Sequence, residues 1–163
     1  MNQEVATTDY LMKTFEKIKK NIMSKVDEVV LHLIKKKFGY NNEEFESFKN
    51  NPRNIELIAR NKEFSKKLIV LKVVESKGCN SNHKVGDKFY FDYAGNILTD
   101  LCPSKICGYS LNSALMMVFA ANEMIFAGVD PNYMKFKRAS CFDVGIECGG
   151  VGRIVLELSI EDK

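Results

Sequence analysis

The hydrophobic period of this chain changes once, at Leu68, and that change limits what the chain can fold into. Ahead of it, Leu11, Phe15, Ile18, Ile22, Val26, Val29, Leu33 and Ile34 recur at steps of three and four. That repeat is one apolar stripe on an α-helix. From Leu68 the run Leu-Ile-Val-Leu-Lys-Val-Val is short and β-branched, the pattern of a strand. The expected fold class is α+β. Residues 1–67 form a helical extension, and residues 68–163 form an α+β domain that holds all the cysteines.

The helical part reads in three pieces. The stripe over residues 8–38 starts at a threonine cap, Thr7 or Thr8, and stops at Gly39. About 30 residues at ~1.5 Å each give roughly 45 Å of helix, longer than a small domain is wide. Such a helix either bends or lays part of its stripe on a second copy, so a homodimer through residues 8–38 is expected. Asn41 followed by Glu43 and Glu44 marks the start of a short second helix, and Asn51-Pro52 marks a third.

The second half alternates. Strands are expected at 68–74, 88–93, 135–142 and 153–160, with a nearly all-apolar helix from a Ser110 cap to about Ala127. Two hairpin-like pairs separated by one helix predict an antiparallel four-stranded sheet with a buried helix on one face. The apolar run Leu111 to Val129 is broken by Asn112, Ser113, Asn122 and Glu123. Four polar groups are costly in lipid, so a helix of the core is expected and no membrane span. Glu123 must be paired, solvent-facing or functional.

Charge divides along the same line. Residues 1–67 carry 14 Lys/Arg against 10 Asp/Glu, and residues 68–163 carry 10 against 11. A basic helical half admits a nucleic-acid-binding regulator as one class of function. No reading helix is recognisable, however, and a solvated face accounts for the same charges. Met1-Asn2-Gln3-Glu4 shows no basic stretch leading into an apolar one, so a cytoplasmic protein with reduced thiols is expected.

The five cysteines, Cys79, Cys102, Cys107, Cys141 and Cys148, all follow Leu68. Each stands near a Gly or Pro and outside any apolar run, unlike a cysteine used for packing. Cys79-Asn-Ser-Asn-His83 is the sharpest local constellation: a thiolate and an imidazole four apart in a polar loop suit zinc or one corner of a cluster. Alternatively one cysteine is a nucleophile with His83 as its base, and Lys77, Lys84 and Lys105 are near enough in sequence to depress a thiol. Gly145 to Gly152 looks like a phosphate loop, but it precedes a strand and no helix, so a turn is expected. It can also let backbone approach a ligand beside Cys148. His32, within the first helix, is read as a surface residue.

From Val73 onward the chain resembles a family of small, largely uncharacterised cysteine-containing proteins of anaerobic bacteria and archaea. The segments that carry the resemblance are Gly78-Cys79, His83-Lys84-Val85-Gly86-Asp87, Leu101-Cys102-Pro103 and Cys141-Phe142-Asp143, over about the last 90 residues. Phe142 stands where that family has a proline. The resemblance implies Cys79, His83, Cys102 and Cys141 as a ligand set, with Cys107 and Cys148 as additional thiols. Three thiols and an imidazole fit a closed tetrahedral site. The expected function is a metal- or iron–sulfur-binding accessory protein in redox or cofactor metabolism, with zinc or an iron–sulfur cluster as cofactor and a protein partner. The alternative is a thiol-dependent enzyme or small-molecule binding protein without metal.

Overall fold

The structure is a computed structural model that describes Thr14, Val26 and residues 28–163. It divides into two compact units, one ending at Lys62 and the other spanning Glu63–Lys163.

Three helices make up the described part of the first unit: α1 (Glu28–Phe38), α2 (Asn42–Asn50) and α3 (Pro52–Ala59). Of the helix expected over 8–38, the described residues hold α1, a helical Thr14 and a bend at Val26. The rest, and with it most of the expected dimer stripe, lies outside the described residues. Within α1 the stripe residues Val29 and Leu33 are 64% and 57% exposed, and Leu31 is buried in their place. His32 is exposed.

Gly39, at φ +69°, ends α1, and Tyr40 N returns to the Lys35 carbonyl at 3.1 Å. A full capping box opens α2. The Glu44 N–H donates to Asn41 Oδ1 at 2.9 Å, and the Asn41 N–H to the Glu44 carboxylate at 2.8 Å. Asn51 caps α3 by accepting from Arg53 N, with Pro52 in the first turn, where a missing N–H costs nothing. Phe38, Tyr40 and Phe48 stack in sequence at centroid distances of 5.6 and 5.5 Å.

The second unit is built on four antiparallel strands: β1 (Lys67–Lys77), β2 (Lys88–Phe91), β3 (Arg138–Ser140) and β4 (Arg153–Asp162), in the order β2-β1-β4-β3. The expected sheet is present. β3 is shorter than expected, three residues where eight alternate in sequence, because only Arg138, Ala139 and Ser140 find partners on β4.

Registers Ile69↔Phe91, Leu71↔Phe89, Ile69↔Ile160 and Leu71↔Leu158 place alternate residues of three strands on one face. There Ile69, Leu71, Val73, Phe89, Phe91, Ile154, Leu156 and Leu158 are buried. Helix α4 (Gly108–Phe126) packs against β1, β3 and β4 and buries Ala114, Val118, Ala121 and Ile125. Its outer side leaves Leu115, Met116 and Phe119 exposed. Phe64 meets Phe126 edge-on at 5.2 Å.

Helix α4 begins earlier than the sequence suggests. Cys107 is its N-cap, and Ser110 is its third residue. The Ser110 hydroxyl donates back to the Cys107 carbonyl at 2.9 Å, so it serves the first turn from inside instead of capping it. Glu123 is exposed. The polar residue that α4 buries is its neighbour Asn122, 9% exposed, whose Oδ1 has no hydrogen-bond partner. Among the described residues no helix is long and apolar enough to cross a membrane.

Candidate functional site

At one end of the sheet β1 and β4 finish their pairing at Lys77↔Arg153. Just beyond it, Gly78 and Gly152 cross at very short range. A Cβ on Gly152 would lie 2.0 Å from the Gly78 carbonyl oxygen, which no side chain can occupy. Two loops leave this crossing and, with the amino end of α4, enclose a cleft of about 550 Å³. Cys79, Ser81, Cys107, Tyr109, Cys141 and Arg153 are among its lining residues. The volume is within the ~300–1,000 Å³ usual for small-molecule sites.

The first loop is a tight turn. Asn82 N donates to the Cys79 carbonyl at 2.9 Å, and Asn82 itself takes φ +59°, a left-handed conformation that Asn tolerates better than most residues. His83 follows, 3% exposed and edge-on to Phe89 at 5.1 Å. Its Nδ1 is 3.7 Å from the Asp87 carboxylate, and its Nε2 has no partner. Its carbonyl accepts from the Ser76 hydroxyl at 2.6 Å.

The second loop is organised by Asp143. Its carboxylate accepts from the N–H groups of Gly145 (3.1 Å), Val151 (3.0 Å) and Gly152 (2.9 Å). These amides, Gly152 foremost and then Gly145, outweigh the opposing effect of burial and hold the carboxyl below its ordinary range. The glycine-rich segment thus binds an anion after all, and the anion is the chain's own. Beside it, Cys141 continues the β4 ladder with its sulfur, which accepts from Ile154 N at 3.3 Å and donates to the Asp143 carbonyl at 3.2 Å.

Cys107 forms the third wall. As N-cap of a 19-residue helix it faces the positive end of the helix dipole. Burial pushes its thiol up, but the Ser110 N–H, the Ser81 hydroxyl and the Tyr109 N–H pull it down by more, and the net value is lower than that of an ordinary thiol. The sulfur closes no cap hydrogen bond of its own. The Ser110 hydroxyl proton goes to the Cys107 carbonyl, so the two N–H groups and the Ser81 hydroxyl act on the thiol from nearby and not through closed hydrogen bonds.

The residues singled out from the sequence therefore separate. Cys79 and Cys141 share the cleft, and Cys107, ranked behind them, joins them there. Cys102 lies elsewhere, its sulfur accepting from Tyr90 N at 3.3 Å and donating to the Leu98 carbonyl at 3.2 Å. His83 is tucked under Phe89, and Cys148 sits in an exposed turn. Among the described residues no three of His, Cys, Asp and Glu stand close enough together to hold a metal ion. The expected set of Cys79, His83, Cys102 and Cys141 is thus not drawn to one point, because the hydrogen bonds of Cys102 and the packing of His83 direct them elsewhere.

Ser81, Tyr109, Asp143 and Arg153 were not identified as site residues. Only Asp143 left a sequence signal, an Asp two residues ahead of a glycine-rich turn, where a carboxylate bonds to following amides. No family model, curated protein or solved structure matches this chain.

Proposed function

We propose that this protein is a thiol-dependent enzyme acting on a small electrophile in the cleft, with Cys107 as nucleophile. One observation carries the reading: the Cys107 thiol, held below its ordinary value at the amino end of α4, opens on a cleft sized for a small molecule. A thiolate is the reactive form of cysteine, and helix N–H groups with a neighbouring hydroxyl stabilise it without a histidine base. His83, buried under Phe89, is then a packing residue.

The test is alkylation by iodoacetamide as a function of pH, read cysteine by cysteine by mass spectrometry. Cys107 should react faster than Cys102 and Cys141 at neutral pH. Its midpoint should lie below that of a free cysteine alkylated under the same conditions. Reaction at the pace of Cys102 would remove the basis for the reading.

A second reading keeps the soft metal. Thiols are the donors that zinc or an iron–sulfur cluster selects, and three line one cleft. Among the described residues no three ligands stand close enough to hold an ion, so the loops would have to draw them together. Cys141 would have to give up its hydrogen bonds to Asp143 and Ile154 to serve as a ligand. Metal and sulfide content after purification without oxygen decides it. Bound metal that is lost in Cys79→Ser and kept in Cys102→Ser supports the cleft as its seat. Metal-free, folded protein ends this reading.

A further inference from the structure

We infer that Cys79 and Cys107 work as a pair in thiol–disulfide exchange, reducing a low-molecular-weight disulfide bound in the cleft, with Cys107 attacking and Cys79 resolving. The inference rests on Cys107 being the nucleophile, and it adds the substrate class and a second participating thiol.

Three thiols face the cleft, and their surroundings differ. The Cys141 sulfur is held by two backbone groups, the Ile154 N–H and the Asp143 carbonyl. Moving it toward another sulfur would break both bonds and open the end of the β3–β4 ladder. Among the described residues the Cys79 sulfur has no hydrogen-bond partner. It lies at the start of a turn bounded by two left-handed residues, Gly78 and Asn82, so its position is set by the backbone alone.

The same turn lines the cleft beside Cys107. Ser81, two residues after Cys79, shares the cleft wall with Cys107. Of the two thiols that could resolve an adduct on Cys107, Cys79 is on the turn that its own Ser81 extends along that wall. Gly108, next to Cys107, has open space where a side chain would be, so no side chain at that position narrows the cleft. Arg153 also lines the cleft, its guanidinium paired with Glu75 at 3.4 Å.

The chemistry balances without any other component. The Cys107 thiolate, its proton released to water, attacks one sulfur of the substrate disulfide. The substrate S–S bond breaks, a mixed disulfide forms, and the first substrate thiolate leaves and takes up a proton. The Cys79 thiol then loses its proton and attacks the Cys107 sulfur. The mixed disulfide breaks, a Cys79–Cys107 disulfide forms, and the second substrate thiolate leaves and is protonated. Two electrons pass from the protein thiols to the substrate disulfide.

Oxidised glutathione serves as the probe. The reduced full-length protein is incubated with it, quenched in acid and mapped by peptide mass spectrometry, with Cys148→Ser as background to remove the exposed thiol. A Cys79–Cys107 crosslink with two glutathiones released per chain is expected. In Cys79→Ser the reaction should stop at one glutathione on Cys107 and one released. Serine replaces a sulfur that has no hydrogen-bond partner among the described residues, and the crosslink in the parent protein is a readout that needs no variant.

Two results overturn the pairing while leaving Cys107 as nucleophile: a glutathione adduct that persists on Cys107 with Cys79 present, or a Cys107–Cys141 crosslink. Modification of Cys107 no faster than that of Cys102 removes the nucleophile as well, and the pairing with it.

Discussion

The two loops that wall the cleft leave the same Gly78–Gly152 crossing and become ordered by different means. The Asp143–Gly152 loop is closed by a side chain, a carboxylate gathering N–H groups from three residues of its own loop. The Cys79–His83 turn is closed by backbone, with one turn hydrogen bond and a left-handed Asn82. Charge-assisted hydrogen bonds are stronger than neutral ones, so the Asp143–Gly152 loop is a rigid wall and the Cys79–His83 turn is the one able to adjust. The thiols follow suit: Cys141, on the rigid wall, is locked by hydrogen bonds, and Cys79, on the adjustable one, is not. A site that must move one sulfur against another needs that asymmetry.

The strongest way to break this comparison is at the crossing both loops share. Gly152→Ala places a methyl group 2.0 Å from the Gly78 oxygen, and a loss of at least about 3 kcal/mol in urea unfolding is expected, in the range reserved for severe steric faults. An unchanged unfolding midpoint would show that the two loops do not meet there.

Next in size is Asp143→Ala, which removes the acceptor of the second loop. It should lower the thermal midpoint by less than Gly152→Ala does, and it should speed alkylation of Cys141 while leaving Cys102 unchanged. Equal protection of Cys141 in the variant would mean that the carboxylate does not hold that wall.

Acid titration sharpens the same point. The Asp143 carboxyl titrates lower in the folded protein than in the unfolded chain, so the unfolded state binds its proton more readily. Its contribution is therefore full above the ordinary aspartate value of about 3.9, and it is lost as pH falls from there through the lower folded value. The stability difference between parent and Asp143→Asn should be constant near neutrality and shrink below roughly pH 4. A difference independent of pH would assign the effect to packing.

The smallest effect is expected on the other loop. Asn82→Gly relaxes the left-handed residue but loosens the unfolded chain, and the two changes oppose each other. A net change within about 0.5 kcal/mol is expected. A loss as large as that of Asp143→Ala would make the two walls equivalent.

Local order was legible wherever a single residue type carries its own signal. The Asn41 and Asn51-Pro52 caps and the Gly39 stop depend on interactions between near neighbours, and the strand at Leu68 showed in its β-branched run. The start of α4 was misplaced because a serine three residues inside a helix and a serine capping it look alike until the hydroxyl's partner is known. The site was legible only in part. Cys79 and Cys141 were rightly taken as loop cysteines, but spacing cannot tell that Cys107 would share their cleft and Cys102 would not. Those two are five positions apart, and what divides them is that the Cys102 sulfur donates to the Leu98 carbonyl and accepts from Tyr90 N. The convergence of residues 79, 107, 141 and 153 is set by pairing between β1 and β4, at opposite ends of the domain's sequence.

That pairing also governs the order of events during synthesis. The innermost strands of the sheet are the first and the last of the four to leave the ribosome, so the sheet cannot close until β4 has emerged. Contacts this distant in sequence make folding slow. Until β4 emerges, Ile154 and Gly152 are missing from the wall and Cys141 has no amide to hold its sulfur. Before that point the three cleft thiols have no fold that tells them apart.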